Sequence, residues 1–223
     1  RRVHTLSKLD ISPHTTKTAL KELLPYAEIT GGSFVNELPK LSCLSDTEAR
    51  LKLKEAREEA VIEAMHNLKA KLEHCQQSSP KKAPAGYRIW PDGYTGSVTH
   101  KGPIVLSAVV ETNRSKSLGI DVEFNHANNN ELQHVMDEEE MPSYADAKPV
   151  ELGVFSTKES VYKSYFPVVK DNLTFDDVCI DWVDTSPSVD YGIAKCPNSL
   201  EIKVQCRYAE NWVISTAQLK DTN

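Results

Sequence analysis

The sequence predicts an α+β fold in which helices alternate with groups of short strands. Three observations carry that prediction. A helical period runs through residues 45–73, a second capped helix is legible at 155–166, and other apolar runs are of strand length. The organisation is therefore helix, strands, helix, strands.

Ser45-Asp46-Thr47-Glu48 has the S-x-x-E pattern, in which hydroxyl and carboxylate satisfy each other's orphan amides. It opens a helix expected to reach about Glu73, with Val61, Ala64, Met65, Leu68 and Leu72 at helical spacing as its buried stripe. Arg50, Lys54 and Arg57 share another face of its first half. Before it, residues 1–44 hold short apolar runs and a Gly31-Gly32 turn signal. After it, Gln76 to Gly86 reads as a linker rich in Ser, Pro and Lys, with Lys81-Lys82 inside it.

Ile104–Val110 and Leu118–Phe124 read as strands, and the short polar Thr112–Ser117 between them predicts an antiparallel hairpin. Residues 125–151 are polar and acidic, a mobile surface segment by composition. Ser156-Thr157-Lys158-Glu159 is a second capping box and places the start of the second helix. Val178–Val183, Leu200–Cys206 and Asn211–Leu219 complete the strands. In the middle one, Ile202, Val204 and Cys206 alternate with Glu201, Lys203 and Gln205, as on a half-buried strand.

Composition excludes several classes. With 26% charged and 39% hydrophobic residues, and no apolar run near the ~20 needed to span a bilayer, the chain reads as soluble. Its net charge of −6 argues against nucleic acid as the main partner. Five scattered cysteines without metal spacing predict reduced thiols, a cytoplasmic protein and no zinc. No signal-peptide pattern opens the sequence, and Arg1 at its head implies a natural start that is missing or trimmed.

Three stretches carry chemistry. In Trp90–His100, Gly96 allows close backbone approach, while Ser97, Thr99 and His100 place donors beside it, which suits phosphate. In Leu118-Gly119-Ile120-Asp121-Val122-Glu123, strand alternation turns Asp121 and Glu123 to one side and Ile120 and Val122 to the core. Two such carboxylates repel by about 2–3 kcal/mol near a surface. A hard cation such as Mg²⁺, which takes one or two carboxylates and shares phosphate oxygens, removes that cost. In Phe155–Pro167, Glu159 and Lys163 are i, i+4 partners, as are Lys158 and Tyr162. Each stretch also has an ordinary reading, respectively a loop, a solvated strand face and a capped amphipathic helix.

Together, W-P-x-G-x-x-G-S-x-T-H, G-I-D-x-E and F-x-x-K-E-x-x-Y-K-x-x-F-P resemble the 4′-phosphopantetheinyl transferases of the two-subdomain, carrier-protein-activating type. That type is associated with siderophore, polyketide and fatty-acid synthesis. His100 precedes Asp121 by 21 residues and Glu159 follows Glu123 by 36. The resemblance covers about residues 80–180, and more loosely Tyr26–Ile29 and residues 47–66.

The resemblance implies a pseudo-twofold pair of similar α/β subdomains, each a mostly antiparallel sheet on a long helix. The expected division is residues 1–117 and 118–223, with coenzyme A in the cleft between them. It implies a monomeric, Mg²⁺-dependent enzyme (Mn²⁺ being a possible substitute) that moves the phosphopantetheine arm to a serine of an apo acyl or peptidyl carrier protein. Asp121, Glu123 and Glu159 become metal ligands, and Lys158 and Lys163 phosphate partners. Tyr162 lines the coenzyme site, and Ser97, Thr99 and His100 contact phosphate. Arg88 or, less closely, Lys82 supplies a basic group before the W-P pair, and Arg50 and Arg57 the first-helix arginines. A second arginine of the first-helix pattern is replaced by Val61. Glu159, Lys163 and His100 are the expected catalytic residues, with Glu159 or a metal-bound water taking the serine proton. Tyr165, Phe166, Val168, Val169 and Lys170 are the expected contributors to a docking surface for the carrier. Two rival readings keep the same cleft: a non-catalytic coenzyme A or nucleotide module, and a Mg²⁺-dependent pyrophosphate hydrolase.

Overall fold

The structure is a computed structural model that describes residues 13–33, 44–71, 80–84, 87–102, 104–125, 132, 135–142 and 148–219. In chain order its main elements are α1 (Pro13–Leu23), β1 (Glu28–Ser33), α2 (Asp46–Lys71), β2 (Lys81–Lys82), β3 (Arg88–Ile89), β4 (Tyr94–Lys101), β5 (Ile104–Glu111) and β6 (Ser117–Phe124). They continue with α3 (Val150–Val169), β7 (Cys179–Thr185), β8 (Val189–Cys196), β9 (Leu200–Tyr208) and β10 (Trp212–Leu219).

All pairings are antiparallel. β1-β5-β4 form one sheet, β6-β10-β9-β8-β7 a second, and β2-β3 a short ribbon. α2 lies on the three-stranded sheet and α3 on the five-stranded one. Apolar residues of α1, β5 and β6, with Trp212 and Ile214, form one core between the two sheets. A second core sits under α3, where Val154, Val161 and Tyr165 meet Ile180, Ile202 and Val204.

The first capping box forms as expected: Glu48 accepts from the Ser45 amide at 2.8 Å, and the Ser45 hydroxyl from the Glu48 amide at 3.4 Å. The second does not. α3 begins at Val150, because Val150, Leu152 and Val154 are buried and extend the apolar face upstream. Ser156 is thus mid-helix. The predicted hairpin is also absent. β5 pairs with β1 and β4, whereas β6 pairs with β10, so Thr112–Ser117 passes the chain from one sheet to the other.

Gly31 lies inside β1 rather than in a turn, since a Cβ there would stand 2.2 Å from the Val105 carbonyl oxygen. Val61 is buried. Of the expected linker, Lys81-Lys82 form β2; about half of the acidic 125–151 segment, with Cys43 and Cys75, falls outside the described residues. Cys179, Cys196 and Cys206 are free thiols. No described helix is long and apolar enough to cross a membrane.

Candidate active site

Small residues let α3 lie directly on β6 and β10. A Cβ on Gly119 would fall 1.8 Å from the Ser160 carbonyl oxygen, so only glycine permits that approach. Around it runs a serine seam. Ser117 Oγ donates to the Ser164 carbonyl at 2.5 Å, Ser215 Oγ to the Ser156 carbonyl at 2.7 Å, and Ser160 and Ser215 share a bond of 2.7 Å. The seam fixes the rotation of α3. One face, carrying Phe155, Glu159, Tyr162, Lys163 and Phe166, therefore looks into a cleft of about 640 Å³.

The carboxylate wall comes from β6 and α3. Ile120 and Val122 are buried in the core, which turns Asp121 and Glu123 to the cleft. Asp121 Oδ1 accepts from Lys163 Nζ at 2.6 Å and Thr99 Oγ1 at 3.0 Å, and Oδ2 accepts from Ser156 Oγ at 3.0 Å. Glu123 forms an ion pair with Lys101 at the end of β4. Glu159 has no hydrogen-bond or ion-pair partner among the described residues. Its i+4 neighbour Lys163 reaches instead to Asp121 and the Ile120 carbonyl, 3.2 Å away.

Burial dominates the electrostatics here. Loss of hydration pushes the Glu159 carboxyl above its ordinary value; Lys163 opposes that shift and the Asp121 charge reinforces it. Glu123 is raised for the same first reason, with Lys101 opposing and Asp121 adding to it. His100 is lowered, first by lost hydration and then by Arg57 and Lys163, which favours the neutral imidazole.

Opposite stands a basic wall of Lys54, Arg57, Lys82 and Arg88. Arg88 makes a two-pronged ion pair with Glu58, at 2.9 and 3.0 Å. That bond holds the Glu58 carboxyl below its ordinary value. Aromatic rings form the floor: Tyr87 meets Phe166 edge-on and Tyr162 tilts against Phe166, both at 5.6 Å, while Lys170 Nζ caps Tyr87 at 3.8 Å.

Eleven of the thirteen sequence-derived candidates come together here: Arg57, Lys82, Arg88, Ser97, Thr99, His100, Asp121, Glu123, Glu159, Tyr162 and Lys163. Two do not. Lys158, one residue from Glu159, lies outside the cleft, pairs with Glu140 at 2.8 Å and donates to the Phe175 carbonyl at 3.1 Å. Arg50 is exposed and outside the cleft, and Lys54, one turn on, lines it instead.

Other details also differ from expectation. The space beside Gly96 is filled by the Trp90 ring, 2.7 Å from where a Cβ would lie. Ser97 Oγ accepts the Ile120 amide at 3.1 Å and so stitches β4 to β6. Tyr165 is buried, which removes it from any docking surface. Lys101, Glu58 and Lys54 are cleft or near-cleft charges that sequence reasoning did not assign; Lys54 was visible on the Arg57 face.

Among the described residues, no three His, Cys, Asp or Glu side chains are grouped closely enough to hold a metal ion as they stand. The donor chemistry nonetheless suits Mg²⁺. Three hard carboxylates line one cleft, two of them hold raised pKa values, first through burial and then through the Asp121 charge, and the ion does not need an all-protein cage.

Comparison with known proteins meets this geometry at the carboxylate wall. Residues 117–217, which run from the start of β6 to within β10, match the family model described as the 4′-phosphopantetheinyl transferase superfamily. Over that span the chain is similar to members of that superfamily. The 4′-phosphopantetheinyl transferase Npt of Nocardia iowensis is 31% identical over 118 residues, which is 50% of this chain and 52% of Npt. The chain thus spans about half the length of the curated relative it matches. The family span contains Asp121, Glu123, Glu159, Tyr162 and Lys163, while the Trp90–His100 stretch and the basic wall lie upstream of it.

Proposed function

We propose that this chain transfers the 4′-phosphopantetheine arm of coenzyme A to a serine of an apo acyl or peptidyl carrier protein, yielding holo carrier and 3′,5′-ADP. The observation that carries the reading is the cleft itself: three carboxylates face a basic wall across a space sized for a ligand, and Glu159 has no partner among the described residues. The cleft runs between the subdomains we assign to residues 1–117 and 118–223, which we read as related by a pseudo-twofold axis.

Coenzyme A presents phosphates at one end and an apolar arm at the other. Lys54, Arg57, Lys82 and Arg88 suit the phosphates, although Glu58 already takes up part of the Arg88 charge. Tyr87, Tyr162 and Phe166 suit the arm. Ser97 keeps its hydroxyl proton for donation, because its oxygen only accepts from Ile120. His100, favoured as neutral imidazole, serves as a hydrogen-bonding contact and adds no positive charge.

In the transfer, a carrier serine Oγ attacks the β-phosphorus of the pyrophosphate. The bond to the 3′,5′-ADP oxygen breaks as the new P–O bond forms. Glu159 takes the serine proton, since its carboxylate is free and its raised pKa makes it a better acceptor than an exposed carboxylate. Lys163 stands beside Asp121 and steadies the negative charge of the reacting group. Asp121, Glu123 and Glu159 would hold a Mg²⁺ ion, which when bound would supply charge neutralisation at the pyrophosphate.

Release of 3′,5′-ADP from coenzyme A tests the proposal. It should require both Mg²⁺ and an apo carrier protein. Release without carrier makes the chain a hydrolase, and tight coenzyme A binding with no release makes it a binding module.

A further inference from the structure

Two lysines sit on the carboxylate wall, and their attachments differ. Lys163 is tied to Asp121, to the Ile120 carbonyl and, at 3.5 Å, to Thr99, so its withdrawal would strip a buried carboxylate of several bonds. Lys101 has Glu123 as its ion-pair partner and its side chain is 38% exposed, against 12% for Glu123. Its backbone, however, is fixed. The chain turns at Gly102 with φ +52, and a Cβ there would stand 3.0 Å from the Phe124 ring. The strand end thus holds a solvent-reaching ammonium beside one carboxylate while leaving its side chain free to swing away.

We infer that Lys101 is a displaceable counter-ion: it occupies Glu123 until a divalent cation takes its place, and so sets how tightly the cleft binds metal. The inference rests on the proposed Mg²⁺ role of Glu123. A cation that binds Glu123 must first break the Lys101 pair, so its apparent affinity is lowered by whatever that pair contributes.

The test is a Mn²⁺ titration of the full chain at pH 8 with saturating coenzyme A, reading free Mn²⁺ by its electron paramagnetic resonance signal. The Lys101→Met variant should bind Mn²⁺ about three- to fivefold more tightly than the parent, the effect of losing a competing, partly exposed pair. Lys101→Arg, which keeps the cation, should stay within about twofold. Adding Glu123→Gln to Lys101→Met should abolish the gain. Unchanged or weaker Mn²⁺ binding by Lys101→Met overturns the inference and leaves the proposed transfer standing. Absence of Mn²⁺ binding in all variants overturns both the metal role and the inference.

Discussion

Glu159 differs from Asp121 and Glu123 in one respect: no cation among the described residues is bonded to it. As at Glu123, burial holds its pKa up. A raised carboxyl contributes stability below its ordinary value of 4.5, and that contribution disappears as pH rises through the folded-state value. At pH 8 the ionised side chain therefore costs the fold something. Glu159→Gln should cut transfer by at least about 10²-fold while melting at a higher temperature than the parent at pH 8. The advantage should shrink as pH falls toward 4.5. His100 works with the opposite sign: its lowered pKa supports the fold above the ordinary histidine value of 6.5 and that support fades as pH falls. It is present in both proteins, so the difference between their thermal melts isolates Glu159. The carboxylates and Lys163 were legible because strand alternation and i, i+4 spacing are local rules. Lys101, Glu58 and Lys158 were not, because their roles depend on partners up to 30 residues away.

Among elements, α3 and β6 depend on each other. Gly119→Ala would drive a Cβ into the Ser160 backbone, and lifting the helix would cost roughly 3 kcal/mol. Urea unfolding should report that loss, and transfer should fall in the still-folded variant because Glu159 and Lys163 move with α3. Lys158→Met should strand Glu140, whose side chain is fully buried, at a cost of about 3–5 kcal/mol. At temperatures where that variant is folded, its KM for coenzyme A should be unchanged. A raised KM would return Lys158 to the phosphates. Elements were missed where burial does not look apolar. The inward positions of β8 are Asp190, Gly192, Ala194 and Cys196, so its alternation is invisible as hydropathy. The absent hairpin reflects the same limit, since a short connection can cross between sheets as easily as it can close one.

Over the whole molecule, a net charge of −6 coexists with a cleft whose one wall is basic, so bulk charge says little about the ligand. The α+β layout follows from periodicity, but which strands share a sheet is set by long-range pairing of β6 with the C-terminal β10. The carboxylate wall falls within the family span and the basic wall outside it. The proposed transfer would require both. The measurement that reaches both at once is the intact mass of an apo carrier protein after incubation with this chain, coenzyme A and Mg²⁺. The carrier should gain one phosphopantetheine, with no gain when Mg²⁺ is chelated or when Asp121→Ala replaces the parent. A carrier of unchanged mass, across a panel of apo acyl and peptidyl carriers, would contradict the account.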